Sequence, residues 1–142
     1  CHTERIAGFT NAIRSYPNID IVATITNDDD DFVSYDRTTR LLTEHPEINA
    51  LFFAAAGVYG GCRAALAMRG QKKDMTIITF DKVATTKEMV AKDVISATIC
   101  QEPLVQGSKP LDILFSYLAT GDLPKSEYNY TAVDIRIKEN MD

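Results

Sequence analysis

Four short runs rich in β-branched and apolar residues alternate with stretches of helical period, and this alternation restricts the fold more than any other feature of the chain. The runs are residues 19–26 (IDIVATIT), 49–55 (NALFFAA), 75–81 (MTIITFD) and 95–101 (ISATICQ). They are close to continuously apolar, the pattern of strands covered on both faces. Ahead of the first run, Ile6, Phe9, Ile13 and Tyr16 recur at helical spacing, and Pro17 stops that helix. The acidic stretch NDDDD suits the N-terminus of a following helix, where carboxylates cap free N–H groups and oppose the dipole. That helix is predicted from about residue 32 to 44, with Phe32, Tyr35, Thr39 and Leu42 on one face, ending before Pro46.

The next predicted helix carries Val58, Cys62, Ala65, Leu66 and Arg69 in register and closes at Gly70. A short helix is predicted in TTKEMVAKD (85–93), and a longer one over about 103–119, with Leu104, Gly107, Leu111, Leu114 and Leu118 along one side and Gly121 at its end. Pro110 falls inside the longer helix and predicts a kink or a restart. YNYTAVDIRI (128–137) reads as a final strand. The fold class that follows is α/β, a parallel sheet with helices on both faces.

The length of 142 residues suits one domain, and no apolar stretch approaches the roughly 20 residues a bilayer crossing needs. The net charge is −5 and the basic residues are scattered, which argues against direct nucleic-acid binding. Cys1, Cys62 and Cys100 form no CxxC and no Cys/His pairing, so no zinc site is expected. Cys62 and Cys100 lie in apolar surroundings and are expected to be buried free thiols, which fits a reducing compartment. The chain starts without Met and without a signal sequence; helix signals directly after Cys1 favour a fragment of a longer protein over an acylated lipoprotein start.

In a parallel sheet the ligand sits outside the C-terminal strand ends. Those ends are Asn27 and Asp28, residues 54–57, Asp81 and Lys82, and Gln101 and Glu102. Gly57, Gly60 and Gly61 match neither a phosphate loop nor a dinucleotide turn, and Gly60 and Gly61 read instead as close packing of a helix on the sheet. There is no GxSxG, His2 and His45 have no nucleophile partner, and NDDDD lacks the spaced ligands of a calcium loop. A phosphoacceptor domain would need a Lys at a later strand end. No catalytic residue, metal or cofactor is therefore expected, and the chain is not read as an enzyme. Asp81 can accept two hydroxyl hydrogen bonds, Gln101 can donate and accept, and Arg5 offers five fixed donors. Such a set suits a neutral polyol better than a phosphate.

Three segments carry a family resemblance. HTERIAGF resembles the R-x-x-G-F opening of the second lobe in the type 1 periplasmic-binding-protein fold, and IITFD resembles its I-x-G-F-D strand end. SATICQEPLVQGSKPLDILFSYLATGDLP resembles the A-T-I-x-Q-x-P-x-x-Q-G crossover and the helix after it. The style is closest to the effector-binding domain of lactose-repressor/galactose-repressor (LacI/GalR) type transcriptional regulators, and sugar-binding proteins of bacterial ABC transporters share the core.

The resemblance implies a C-terminal lobe over residues 1–102 whose first strand lies before Cys1. It implies a crossover segment, 103–127, normally associated with the N-terminal lobe, and a returning strand and tail over 128–142. By motif match Arg5, Asp81 and Gln101 are ligand-binding positions, and Ala55 stands where many members carry a sugar-binding Asn. The implied function is sugar sensing in a cytoplasmic regulator, with DNA contacted only through an absent N-terminal headpiece and a homodimer in the parent protein. A transporter's sugar-binding protein, periplasmic or extracytoplasmic, is the alternative, and a receiver-like or other parallel α/β enzyme domain the remote one. Without its other lobe, the leucine-rich side of the crossover helix is expected to fold back onto this lobe or to meet a second copy.

Overall fold

The central apolar runs pair as β1 (Ala50–Phe52), β2 (Thr76–Phe80) and β3 (Ala97–Gln101), each shorter than the run that contains it. The structure is a computed structural model that describes residues 2–69 and 75–141; Cys1 and the predicted cap Gly70 lie outside them. The sheet has the order β1-β2-β3-β4, where β4 is Val133–Arg136. The first three strands are parallel, and β4 runs antiparallel to β3 with Gln101 opposite Val133. The fold is α/β, as the alternation predicts, with a mostly parallel sheet whose antiparallel edge strand, β4, departs from the all-parallel expectation.

Helices cover both faces. Leu51 and Ile77 are register partners, as are Phe52 and Ile78, so the two pairs project to opposite sides. On the Phe52 side lies α1 (His2–Ile13), whose Phe9 stacks on Phe52 at 4.2 Å between ring centroids. On the Ile77 side pack α2 (Asp31–Glu44), α3 (Val58–Arg69) and α4 (Ala84–Ala91), and the core there joins Leu41, Leu42, Cys62, Ala65, Met89 and Val90 to Ile77. α1 ends at Ile13, short of the predicted stop at Pro17.

The acidic stretch caps α2. Asp30 Oδ1 accepts from the backbone N–H groups of Phe32 (2.8 Å) and Val33 (2.9 Å). Its neighbours tie the helix start to the rest of the lobe, since Asp31 accepts from Gly60 N and Asp29 from Ala56 N, both at 2.9 Å.

The face that α2 buries is Ser34, Thr38, Leu41 and Leu42; Phe32 is 86% exposed and Tyr35 is also exposed. The reason is the glycine pair of α3. A Cβ at Gly60 would stand 1.8 Å from the Asp31 carbonyl oxygen, and one at Gly61 would stand 2.4 Å from the Phe53 ring and 3.1 Å from Ser34 Oγ. At that separation only small side chains fit between the two helices, so the aromatics turn outward. Gly60 thus serves helix-on-helix packing, not packing on the sheet.

Residues 19–26, expected as a strand, form none. Ile19, Ile21, Val22 and Ile25 are exposed, and the segment has no ladder partner among the described residues. β-propensity is realised only against a neighbour that supplies the ladder.

Of the two outcomes expected at Pro110 the restart does not occur: α5 (Pro103–Thr120) runs through it and ends at Gly121, φ 80°. One missing N–H leaves the ladder above and below it intact. The helix does not fold back onto the sheet: Leu104 is 87% and Leu118 74% exposed, and Leu111 and Leu114 are exposed as well.

Candidate functional site

Asp81 ends β2 at φ 69°, in the left-handed region that costs a non-glycine residue about 1 kcal/mol. The backbone there is held from both sides. Its N–H donates to Ile99 O at 2.9 Å, and its carbonyl accepts from Thr98 Oγ1 at 2.8 Å. Thr98 is fully buried, so this hydroxyl is a fixed strut beneath the turn.

The turn presents the Asp81 carboxylate to its neighbours. Gln101 Nε2 donates to Asp81 Oδ1 at 3.0 Å. Arg5 Nη2 stands 4.0 Å from Asp81 Oδ2. The Arg5 guanidinium lies 3.9 Å over the Phe80 ring, and its Nη1 donates to Ala54 O at 3.0 Å. Arg5 is thereby anchored between an aromatic face, a strand-end carbonyl and a carboxylate. Its side chain is 14% exposed, against 51% for Asp81, so the carboxylate is the open member and the guanidinium the walled one.

The four residues singled out from the sequence thus occupy one neighbourhood at the C-terminal strand ends. Arg5 and Gln101 both meet Asp81, and Ala55 follows the carbonyl that Arg5 grips. Ala55 contributes no side-chain hydrogen bond. The sequence reading missed the supporting residues. Thr98 carried one signal, a hydroxyl inside an apolar strand. Gln106 carried none beyond its place in the crossover motif; its Nε2 donates to Gln101 Oε1 at 3.0 Å and to Thr131 Oγ1 at 3.2 Å. Glu102 accepts from Ala132 N at 3.0 Å and so ties the start of α5 to the segment entering β4.

The cluster offers hydrogen-bond donors and acceptors of near-balanced charge. No group of three His, Cys, Asp or Glu side chains suited to a metal ion occurs among the described residues. Cys62 and Cys100 are buried free thiols, as expected. Burial, with a smaller contribution from Asp31, pushes the Cys62 thiol up to about 12, so it stays protonated and inert at neutral pH. Burial also raises Cys100. No helix among the described residues is long and apolar enough to cross a membrane. A depression of about 250 Å³ lies along the second half of α5, lined by Ile113, Ser116 and Leu123 among others, and includes none of the strand-end residues.

A mostly parallel α/β lobe with polar side chains gathered at its strand ends is the frame of the periplasmic binding protein domain, and the chain belongs to that family, whose profile matches residues 2–122. It is 26% identical over 107 residues to the D-allose-binding periplasmic protein of Escherichia coli (strain K12), a match covering 75% of this chain and 34% of that protein. Among solved structures, the sugar-binding protein of a sugar ABC transporter from Bacillus halodurans superposes with a TM-score of 0.86 at 27% identity, over 98% of this chain and 51% of the other. A glucose-galactose binding protein from Geobacillus stearothermophilus gives 0.87 at 26% identity, over 96% and 48%. The chain therefore spans about a third of the curated relative and about half of each of these solved chains.

Proposed function

We propose that this chain is one lobe of a bacterial sugar-binding protein of transporter type, holding a neutral carbohydrate at the cluster of Arg5, Asp81 and Gln101 without chemical conversion. The observation that carries the reading is the Gln101–Asp81 hydrogen bond at 3.0 Å beside a walled Arg5, with the carboxylate half open. An ionised carboxylate accepts from vicinal hydroxyls, and the amide and guanidinium donate to the same ring. In this reading Ala55 is a wall without a polar anchor, so the bound ring makes no hydrogen bond to a side chain at that position.

The regulator that the motifs suggest first is the less supported choice. The relatives named above are a periplasmic protein and sugar-binding proteins, one of them belonging to an ABC transporter, and they support the extracytoplasmic alternative. Residues 1–102 then serve as the ligand-binding lobe, 103–127 as the segment that crosses to a second lobe, and 128–142 as the return. A single lobe supplies half a cleft, so binding by this chain alone is weak.

Saturation-transfer NMR with D-allose, D-galactose and D-glucose tests the proposal. The expected result is transfer to at least one sugar, with an affinity in the millimolar range, abolished in Asp81→Ala. No transfer to any of the three sugars, or transfer unaffected by Asp81→Ala, contradicts it.

A further inference from the structure

We infer that Gln106, the fourth residue of α5, is a positioning residue that, together with Asp81, holds the Gln101 amide in the one orientation, and with it the donor character of the site; the inference rests on the carbohydrate reading above. Asp81 sets the direction. An ionised carboxylate only accepts, so Gln101 meets Oδ1 through Nε2, at 3.0 Å. Oε1 of the same amide then points towards the start of α5, where it accepts from Gln106 Nε2 at 3.0 Å. The second proton on Gln106 Nε2 goes to Thr131 Oγ1 at 3.2 Å.

The donors run one way, from Gln106 to Gln101 to Asp81. One Gln101 proton is taken by Asp81 and the other is left for an incoming hydroxyl. A reversed Gln101 would set Oε1 against the carboxylate and offer a hydroxyl oxygen no proton. Gln106 opposes that reversal, because in its observed orientation its Nε2 faces Gln101 and would meet a second N–H donor. Through Thr131 it also reaches the segment that enters β4, beside the Glu102–Ala132 contact. The residue that orients the site therefore also bridges the segment that leaves β3 and the segment that enters β4.

Donor and acceptor replacements separate this role from simple packing. Lys is donor-only on a flexible stem two methylenes longer than that of Gln, Glu is acceptor-only on a stem of the same length as Gln, and Leu offers neither. The full chain is compared as wild type, Gln106→Lys, Gln106→Glu and Gln106→Leu, each first shown by urea denaturation to be folded. Two readouts are taken: the side-chain ¹⁵N–¹H resonances of Gln101 without ligand, and titration with D-allose. The Gln101 resonances should hold in Gln106→Lys and move in the other two. D-Allose affinity should stay within about threefold for Lys, fall about threefold for Leu, and fall about tenfold or more for Glu. Unmoved Gln101 resonances in Gln106→Glu and Gln106→Leu overturn the inference, as does equal weakening in the Lys and Glu variants. If wild type responds to no aldohexose, the carbohydrate reading fails and the Gln101 resonances alone decide the role of Gln106.

Discussion

Gln101 and Asp81 lie 20 residues apart yet share a 3.0 Å hydrogen bond across adjacent parallel strands. Strand register alone does not produce it. Phe80 pairs with Ile99, so in a straight strand Asp81 would project to the side opposite Gln101. The left-handed turn at Asp81 swings the carboxylate to the Gln101 side, and the buried Thr98 hydroxyl holds the turn in place.

That geometry separates stability from binding at one position. Glycine adopts φ 69° freely and alanine does not, so Asp81→Gly should stay within about 1 kcal/mol of wild type. Asp81→Ala should lose about 1–2 kcal/mol. Both should lose sugar binding. Urea denaturation read by circular dichroism checks the order; an alanine variant more stable than the glycine variant would contradict the account of the turn.

Close approach of α2 and α3 makes Gly60 intolerant. A methyl group 1.8 Å from the Asp31 carbonyl must push the helices apart, and Gly60→Ala should cost about 3 kcal/mol. Gly107, where an added methyl group would meet nothing within 4 Å, is the control. Gly107→Ala in the exposed helix should stabilise α5 by about 0.5–1 kcal/mol. Denaturation midpoints of the pair give the test, and equal effects would refute the packing argument.

The buried Cys62 thiol predicts an alkaline limit. In the unfolded chain it ionises near 9.0, and in the folded protein only near 12. Its contribution to stability is therefore complete below pH 9 and is lost as pH rises towards 12, at up to about 1.4 kcal/mol per pH unit. Denaturation curves at pH 8, 9.5 and 10.5 should fall more steeply for wild type than for Cys62→Ala. Parallel pH profiles would show that the thiol is not sequestered.

Ala55 offers a gain-of-function variant. If the position lines the sugar, Ala55→Asn adds one donor and one acceptor and should tighten D-allose binding about threefold to tenfold. Titration of the two proteins side by side decides it. An unchanged or weaker affinity with an intact fold would remove Ala55 from the cleft wall.

Much of this was legible in the sequence because periodicity and motif act locally. The runs containing β1, β2 and β3 and the cap at Asp30 follow from short-range pattern, and Gly60 is legible as a close-packing position although its partner, α2 and not the sheet, is not. What failed depends on distant partners. Residues 19–26 have the composition of a strand and no ladder to join. Phe32 and Tyr35 look like core residues until the Gly60–Asp31 approach excludes them. Arg5, Asp81 and Gln101 could be nominated from strand ends, whereas the Thr98 strut and the Gln106 relay arise from three-dimensional contacts that no spacing rule contains.

The measurement that bears most directly on the central claim is a ¹⁵N–¹H shift map of the full chain titrated with D-allose and D-galactose to about 50 mM, the range in which a weak half-site responds. The account predicts saturable shifts concentrated at Arg5, residues 54–56, Asp81, Gln101 and Gln106, absent in Asp81→Ala. Shifts centred on the depression along α5, or none at the strand ends with any sugar, would contradict it.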